Sequence, residues 1–273
     1  MEHPLFSIII PTLNEELFLP NLLASLASQT HKNFEVFVVD GASRDKTVAL
    51  ARDWVKKLPK LDIIASDRAS LPHQRNLGAG AAHGEWLIFV DADSIFLPYS
   101  LERIVDYIGE TKPKMFSTWA KPDSSLVNDA IMTLLGNIYW ESTVLLKRPV
   151  APGPLTIIRK DVFESVGGYD ETHEYNEDVD LGLRLSEQGV ILNMLRETLY
   201  VWSMRRIRRE GKVKQISQYI LAFLPILLFR RPLKHMPGYI MGGHLYKNKK
   251  PVKRSVLKIY ERKLKQLMKE LVG

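Results

Sequence analysis

At 273 residues the chain is long enough for one large or two small domains. Its 45% hydrophobic content is ordinary for a globular core, and the absence of cysteine excludes disulfides and thiolate chemistry. The formal charge of +7 hides an asymmetry: residues 201–273 carry 19 Lys and Arg against 3 Glu, whereas residues 1–200 carry 19 against 28 Asp and Glu. No apolar run reaches the ~20 residues of a bilayer span. Met1-Glu2-His3-Pro4 leads straight into a strand-like run, without the basic and apolar regions of a signal peptide. These features predict a cytoplasmic chain.

Residues 6–11 read as a first strand stopped by Pro11. Leu17, Leu19, Leu22, Leu23 and Leu26 then recur at helical spacing. Residues 34–39 read as a second strand, 45–58 as an amphipathic helix, 61–65 as a third strand and 74–83 as a short helix of small residues. Trp86-Leu87-Ile88-Phe89-Val90 is a fourth strand, apolar throughout as a strand buried on both faces is. This alternation predicts βαβ units and a parallel sheet. Further on, the pattern predicts a helix over 97–108, a strand over 114–120, a helix over 127–146 and a strand over 155–158. Helices over 160–166 and 176–188 follow, then strands over 190–194 and 199–202.

The fourth strand ends in Asp91-Ala92-Asp93. Unpaired carboxylates at the end of a buried strand are costly, and the carboxyl ends of strands in open α/β sheets are where ligands bind. A hard metal ion with a phosphorylated ligand would explain the pair. An Asp cap on the following helix explains it equally well at this point. Residues 12–15 and 40–43 fall at the ends of strands one and two and converge on the same crevice. Neither a G-x-G-x-x-G nor a G-x-x-x-x-G-K-[ST] loop is present, so a nucleotide here needs another counter-charge for its diphosphate. A second acidic cluster, Glu174-Tyr175-Asn176-Glu177-Asp178-Val179-Asp180, opens a helix. The helix dipole accounts for one or two of these carboxylates. The Glu177-Asp178 pair is left over, and one of the two can serve as a general base. Arg184 is expected to tie this helix into the fold.

These segments together resemble an inverting family 2 glycosyltransferase of GT-A fold. The resemblance rests on Ile9-Ile10-Pro11-Thr12-Leu13-Asn14-Glu15, Val38-Val39-Asp40-Gly41-Ala42-Ser43, Gln74-Arg75-Asn76-Leu77-Gly78, Phe89-Val90-Asp91-Ala92-Asp93, Phe163 to Glu171, and Asn176-Glu177-Asp178-Val179-Asp180-Leu181 with Arg184-Leu185, in that order. It implies a mixed, mainly parallel sheet flanked by helices. It places Pro11, Thr12, Asn14 and Glu15 around the nucleoside, Asp40 and Ser43 at the base, and Arg75 and Asn76 near the donor phosphates. Asp91, with Ala92 beside it, would face the ribose or sugar. Asp93 and Asp91 would bind Mn2+ or Mg2+, and Asp178 would be the base with Glu177 orienting the acceptor. Processive members carry Gln-x-x-Arg-Trp after the base. Here that region reads Trp202-Ser203-Met204-Arg205-Arg206-Ile207-Arg208-Arg209. This implies a non-processive enzyme, with Arg205 and Arg206 as a replacement anion clamp or, alternatively, part of a solvated basic turn.

The chain divides at the charge shift into a catalytic domain, residues 1–210, and a basic helical extension, residues 211–273. Residues 220–229 are apolar apart from a break at Pro225, with Lys212, Lys214, Arg230, Arg231 and Lys234 around them. Basic flanks on an apolar helix favour peripheral contact with an anionic membrane. Core packing or a homodimer contact is the next reading. Nucleic acid is excluded for want of any recognisable binding motif. Residues 247–270 add ten Lys and Arg against two Glu, with Val256, Ile259, Tyr260, Leu264 and Leu267 at helical spacing. His235 and His244 are read as structural, with metal ligation the alternative. The expected activity is metal-dependent transfer of a sugar from a UDP- or GDP-sugar to a lipid-linked or cell-surface glycan acceptor. A sugar-nucleotide nucleotidyltransferase is disfavoured because no Gly-rich basic loop follows strand one. An inactive glycan-binding scaffold is disfavoured by the joint presence of Asp91, Asp93 and Asp178.

Overall fold

The computed structural model describes residues 4–146, 149–235 and 242–246. In chain order the elements are β1 (Phe6–Thr12), α1 (Leu19–Ala27), β2 (Phe34–Asp40), α2 (Thr47–Arg52), β3 (Leu61–Ala65), α3 (Leu71–Ala81), β4 (Trp86–Val90), β5 (Ile95–Phe96), α4 (Ser100–Thr111), β6 (Met115–Pro122), α5 (Val127–Leu145), β7 (Leu155–Arg159), α6 (Lys160–Ser165), α7 (Glu177–Glu187), β8 (Leu192–Trp202), α8 (Arg205–Glu210) and α9 (Lys212–Phe229), followed by a 3-10 turn at Gly243–Tyr246. The sheet order is β3-β2-β1-β4-β7-β6-β8-β5. β3, β2, β1 and β4 are parallel, β7 runs against β4 and β6, and β6 and β8 are parallel to each other. The sheet is therefore mixed and mainly parallel, as the resemblance implied. The carboxyl ends of β1, β2 and β4 share one edge.

Side-chain alternation along β1 builds the layers. Ile8 and Ile10 join α1, α2 and α4 in one core, while Ile9 joins α3, α6 and α7 in the other. A third, smaller cluster gathers Trp140 of α5, Val179 and Leu183 of α7 and Ile226 of α9. Proline in the first turn of α1 and of α3 suits positions whose N–H groups lack helical partners.

Four expectations change. The helix expected over 45–58 is only α2, six residues long, with turns after it. The helix expected to begin at 97 begins at Ser100 and is preceded by β5; no side chain caps it, so Asp91 and Asp93 are not helix caps. The two strands expected over 190–202 are one, β8, whose pairing with β6 slips around Trp119. The basic stretch after Trp202 is helix α8 rather than a turn. α9 continues through Pro225 to Phe229. No helix among the described residues is long and apolar enough to cross a membrane. The stripe expected in 247–270 lies outside the described residues.

Candidate active site

Two loops at the sheet edge are stitched together first. Gln74, buried in α3, donates Nε2 to the carbonyls of Thr12 (2.9 Å) and Val39 (2.7 Å), locking the ends of β1 and β2. Asp40 accepts from Thr12 Oγ1 at 3.2 Å and from the Ser43 amide at 2.9 Å. Ser43 Oγ in turn accepts from the Asn14 amide at 2.8 Å, and Asn14 Oδ1 from the Arg44 amide at 2.7 Å. Asn14 and Ala42 adopt left-handed conformations, φ 55° and 62°. Asparagine tolerates that region better than most residues do. Thr47 Oγ1 accepts from the Glu15 amide at 2.7 Å. Pro11, Thr12, Asn14, Glu15, Asp40 and Ser43 thus share one rigid ledge.

Arg205, at the start of α8, closes this ledge onto the loop after β4. Its two terminal nitrogens each reach a Glu15 carboxylate oxygen at 2.7 Å, and its Nε lies 2.7 Å from Asp93 Oδ2. The guanidinium stacks 4.5 Å over the Phe18 ring. Burial pushes the Glu15 carboxyl up to about 7; Arg205 opposes the rise, and Asp93 and Asp91 add to it. Arg206 is half-buried on the same turn, and Ala92 is buried between the two aspartates.

Arg75 joins the β4 loop to α7. It is 1% exposed, and its terminal nitrogens are partnered while Nε has no partner among the described residues: Nη1 donates to Glu177 Oε1 at 2.7 Å, Nη2 donates to the Gly153 carbonyl at 3.0 Å, and Asp91 Oδ1 lies 3.4 Å from Nη2. The Tyr169 ring supports the guanidinium at 5.1 Å. Burial pushes Asp91 up to about 6 against the pull of Arg75, with Asp93 and Glu177 adding to the rise. Burial, then the neighbouring Glu177 charge, pushes Asp178 up to about 7. Asp178 packs so closely on the chain before β7 that a Cβ at Gly153 would lie 2.8 Å from its Oδ2. Asn76, the next residue after Arg75, points elsewhere. It exchanges 2.9 Å hydrogen bonds with the backbone of Tyr169 and donates to Glu171, fixing the loop that leads to α7. Arg184 holds the far side of that loop through Asp180, Val166 O and Gly168 O, each at 2.7 Å, as expected of a structural arginine.

Glu15, Asp91, Asp93, Glu177 and Asp178 thus meet two guanidiniums, Arg75 and Arg205. Burial first, with the surplus negative charge adding to it, explains why three of these carboxyls sit high. Hard oxygen donors with unbalanced charge fit a divalent cation whose remaining positions go to phosphates and water. A second group, Asp170, His173 and Asp180, has its ligand atoms within 4.8 Å of one another. Arg184 at 2.7 Å from Asp180 and Lys234 at 3.5 Å from Asp170 already counter its charge.

Sequence reasoning missed three contributors. Gly153 was legible only as a break between prolines, and Gln74 only as part of a motif. The third is the chain beyond α9, whose contacts cross the expected boundary at 210. The Lys234 carbonyl accepts from the amides of Glu174 (3.0 Å) and Tyr175 (3.2 Å), ahead of α7. Gly243 then donates to the Leu13 carbonyl at 3.0 Å, and a Cβ there would meet Asn14 O at 2.3 Å and Glu15 Oε2 at 2.5 Å. His235 pairs with Glu174.

The glycosyl transferase family 2 model matches residues 7–167. A Mycobacterium bovis PGL/p-HBAD biosynthesis glycosyltransferase is 32% identical over 191 residues, covering 67% of this chain and 70% of its own. An uncharacterized glycosyltransferase of Haemophilus influenzae is 29% identical over 188 residues, 67% of this chain but only 63% of its own length. Among solved structures, S. aureus TarS 1–349 in complex with UDP-GlcNAc superposes with a TM-score of 0.61 at 23% identity, over 72% of this chain and 58% of that one. The mannosyltransferase PcManGT from Pyrobaculum calidifontis, in complex with GDP-Man and Mn2+, gives 0.61 at 21%, over 83% and 69%. The family match covers more than half of the chain, and the superpositions reproduce its GT-A sheet: the chain belongs to glycosyl transferase family 2 and is a glycosyltransferase.

Proposed function

We propose that the enzyme transfers a sugar, with inversion and one residue at a time, from a UDP- or GDP-sugar to a hydroxyl or phosphate acceptor on a lipid-linked or cell-surface glycan. The observation that carries this reading is Arg75, which brings Asp91 and Glu177 onto one buried guanidinium. It sets the acidic β4 loop beside the first turn of α7. An inverting displacement needs those two groups on opposite sides of the reacting carbon: something to stabilise the departing diphosphate and a base for the acceptor. Similar proteins support the substrate classes. TarS and PcManGT carry UDP-GlcNAc and GDP-Man, and Bacillus subtilis GgaB, 24% identical over 217 residues, is a minor teichoic acid biosynthesis protein.

In this reading the Thr12–Glu15 and Asp40–Ser43 ledge takes the nucleoside, and Asp91 and Asp93 hold Mn2+ or Mg2+. The ion supplies Lewis-acid stabilisation of the leaving diphosphate. Asp178 accepts the acceptor proton; a carboxyl near 7 is poised for that task at neutral pH. Glu177, held by Arg75, orients the acceptor, while Arg205 and Arg206 stand at the diphosphate side. The basic C-terminal quarter holds the enzyme peripherally on the cytoplasmic face of an anionic membrane.

The test is a thermal-shift and calorimetric screen of UDP- and GDP-sugars with Mn2+ and Mg2+, since a ligand bound only by the folded state stabilises it by RT ln(1 + [L]/Kd). One nucleotide class should stabilise the wild type in a metal-dependent way, and Asp93→Ala should lose that dependence. A variant whose nucleotide affinity still rises with Mn2+ as the wild type's does sinks the metal assignment.

A further inference from the structure

The outer sides of α5 and α9 form one apolar face. On α5, Ile131, Leu134, Leu135 and Ile138 are about half exposed, at the spacing of a helical stripe. The opposite side of the same helix, Thr133, Asn137 and Trp140 among it, is buried. On α9, Leu224 and Leu228 are exposed while Ile226 is buried. Trp140 and Ile226 sink into the same cluster, on Val179 and Leu183 of α7. Tyr139 meets Phe223 edge to face, ring centroids 5.3 Å apart. Through that ring pair and the shared cluster the two helices meet on their inner sides, and each keeps an apolar stripe outward. Contiguous stripes of this kind on a soluble surface mark interaction sites.

Charge identifies the partner. α9 contains no Asp or Glu. The two carboxylates of α5 are turned inward: Asp129 is buried and bonded to Ser124 and Arg208, and Glu141 bonds Trp119 and Arg196. Arg230 and Arg231 stand exposed at the end of α9. An apolar face without outward carboxylates and with cations at its edge is the composition of helices that lie in a lipid interface. Each cation adds attraction to anionic headgroups. We propose that the α5–α9 face is the surface on which the enzyme docks to an anionic bilayer. The two helices lie flat among the headgroups, and α7, with the base Asp178, sits directly behind them. The proposal rests on the membrane contact in the function proposed above, moves its apolar part from the C-terminal quarter alone to a face shared with α5, and gives a lipid-linked acceptor a short path to Asp178.

Flotation of the full chain with phosphatidylglycerol-containing vesicles, against pure phosphatidylcholine, tests it. The wild type should float with the anionic vesicles. Leu135→Gln/Ile138→Gln on α5 and Leu224→Gln/Leu228→Gln on α9 should each lower that partitioning at least about tenfold, because exposed apolar area is what each removes. Nucleoside diphosphate with Mn2+ should still raise the melting temperature of both variants. Unchanged flotation of the α5 variant overturns the proposal. So does a wild type that does not float, or one that sediments as a dimer which these substitutions dissociate. Failure of the nucleotide shift in the wild type, with flotation as expected, counts against the proposed function and not against the docking face.

Discussion

Arg75 Nη1 donates to Glu177 Oε1 at 2.7 Å, with the guanidinium 1% exposed and the carboxylate 9%. A pair this buried is sensitive to loss of one member, because the other is left as an uncompensated charge. Arg75→Ala should destabilise the fold by about 3–5 kcal/mol, read as a lower urea midpoint at unchanged slope, and should abolish transfer. Arg75→Lys should recover part of the stability and little of the activity. One ammonium cannot reproduce the fork that spans Glu177, Asp91 and the Gly153 carbonyl.

Arg205 occupies the charge position that a cation on Asp93 would take. It sits 2.7 Å from Asp93 while bonding Glu15 with both terminal nitrogens. Binding of Mn2+ to the donor-free enzyme must therefore displace or outcompete a guanidinium. Arg205→Gln should bind Mn2+ more tightly than the wild type in the absence of nucleotide, by titration calorimetry or by the EPR signal of free Mn2+. It should bind nucleoside diphosphate with Mn2+ more weakly. An unchanged Mn2+ affinity would mean that Arg205 and the metal do not share Asp93.

The acidic parts of the site were legible in the sequence because each carboxylate interrupts an otherwise apolar or helical pattern: Asp91 and Asp93 end β4, and Glu177 and Asp178 open α7. What joins them was not. Arg75 reaches Glu177 across 102 positions of chain, and no local pattern encodes that approach. The fold was misread where side-chain spacing and backbone path part company. Trp54 and Leu58 keep helical spacing beyond α2 and pack on the core, yet they do so from successive turns. In β8 the polar run Arg196-Glu197-Thr198 looks like a loop. It stays in the strand because Arg196 and Glu197 find partners in Glu141 and Arg103.

Gly243 ties the C-terminal segment to the ledge proposed for the donor. The first atoms a side chain would meet there are the Asn14 carbonyl oxygen at 2.3 Å and Glu15 Oε2 at 2.5 Å. A backbone oxygen in a loop pinned by Ser43 and Thr47 has little room to yield. Gly243→Ala should therefore lift the segment off the loop, raising the donor KM several-fold with kcat close to wild type. Steady-state kinetics with saturating acceptor reads the split, and a fall in kcat at constant KM would place Gly243 on the chemical step instead.

In the proposed function Asp178, as the base, carries the pH dependence. Its carboxyl is pushed up to about 7, by burial first and by Glu177 second, and it must be ionised to act as a base. On the acid side kcat/KM should fall tenfold per pH unit below about 7 and level off above it. Glu177→Gln removes the like charge and should move this limb to lower pH. The same shift sets the sign of the stability effect. A carboxyl raised in the fold favours the protonated state, so its contribution is full below the unfolded value near ~4 and is lost as pH rises through about 7. Asp178→Asn stays neutral throughout and keeps an oxygen for the Val179 amide, which Asp178 accepts at 2.8 Å. The variant should melt higher than the wild type at pH 8, match it near pH 4, bind donor normally and lose transfer by about 10²- to 10⁴-fold. Equal melting temperatures at both pH values would show that the carboxylate is not held against its ionisation, and wild-type transfer would remove it as the base.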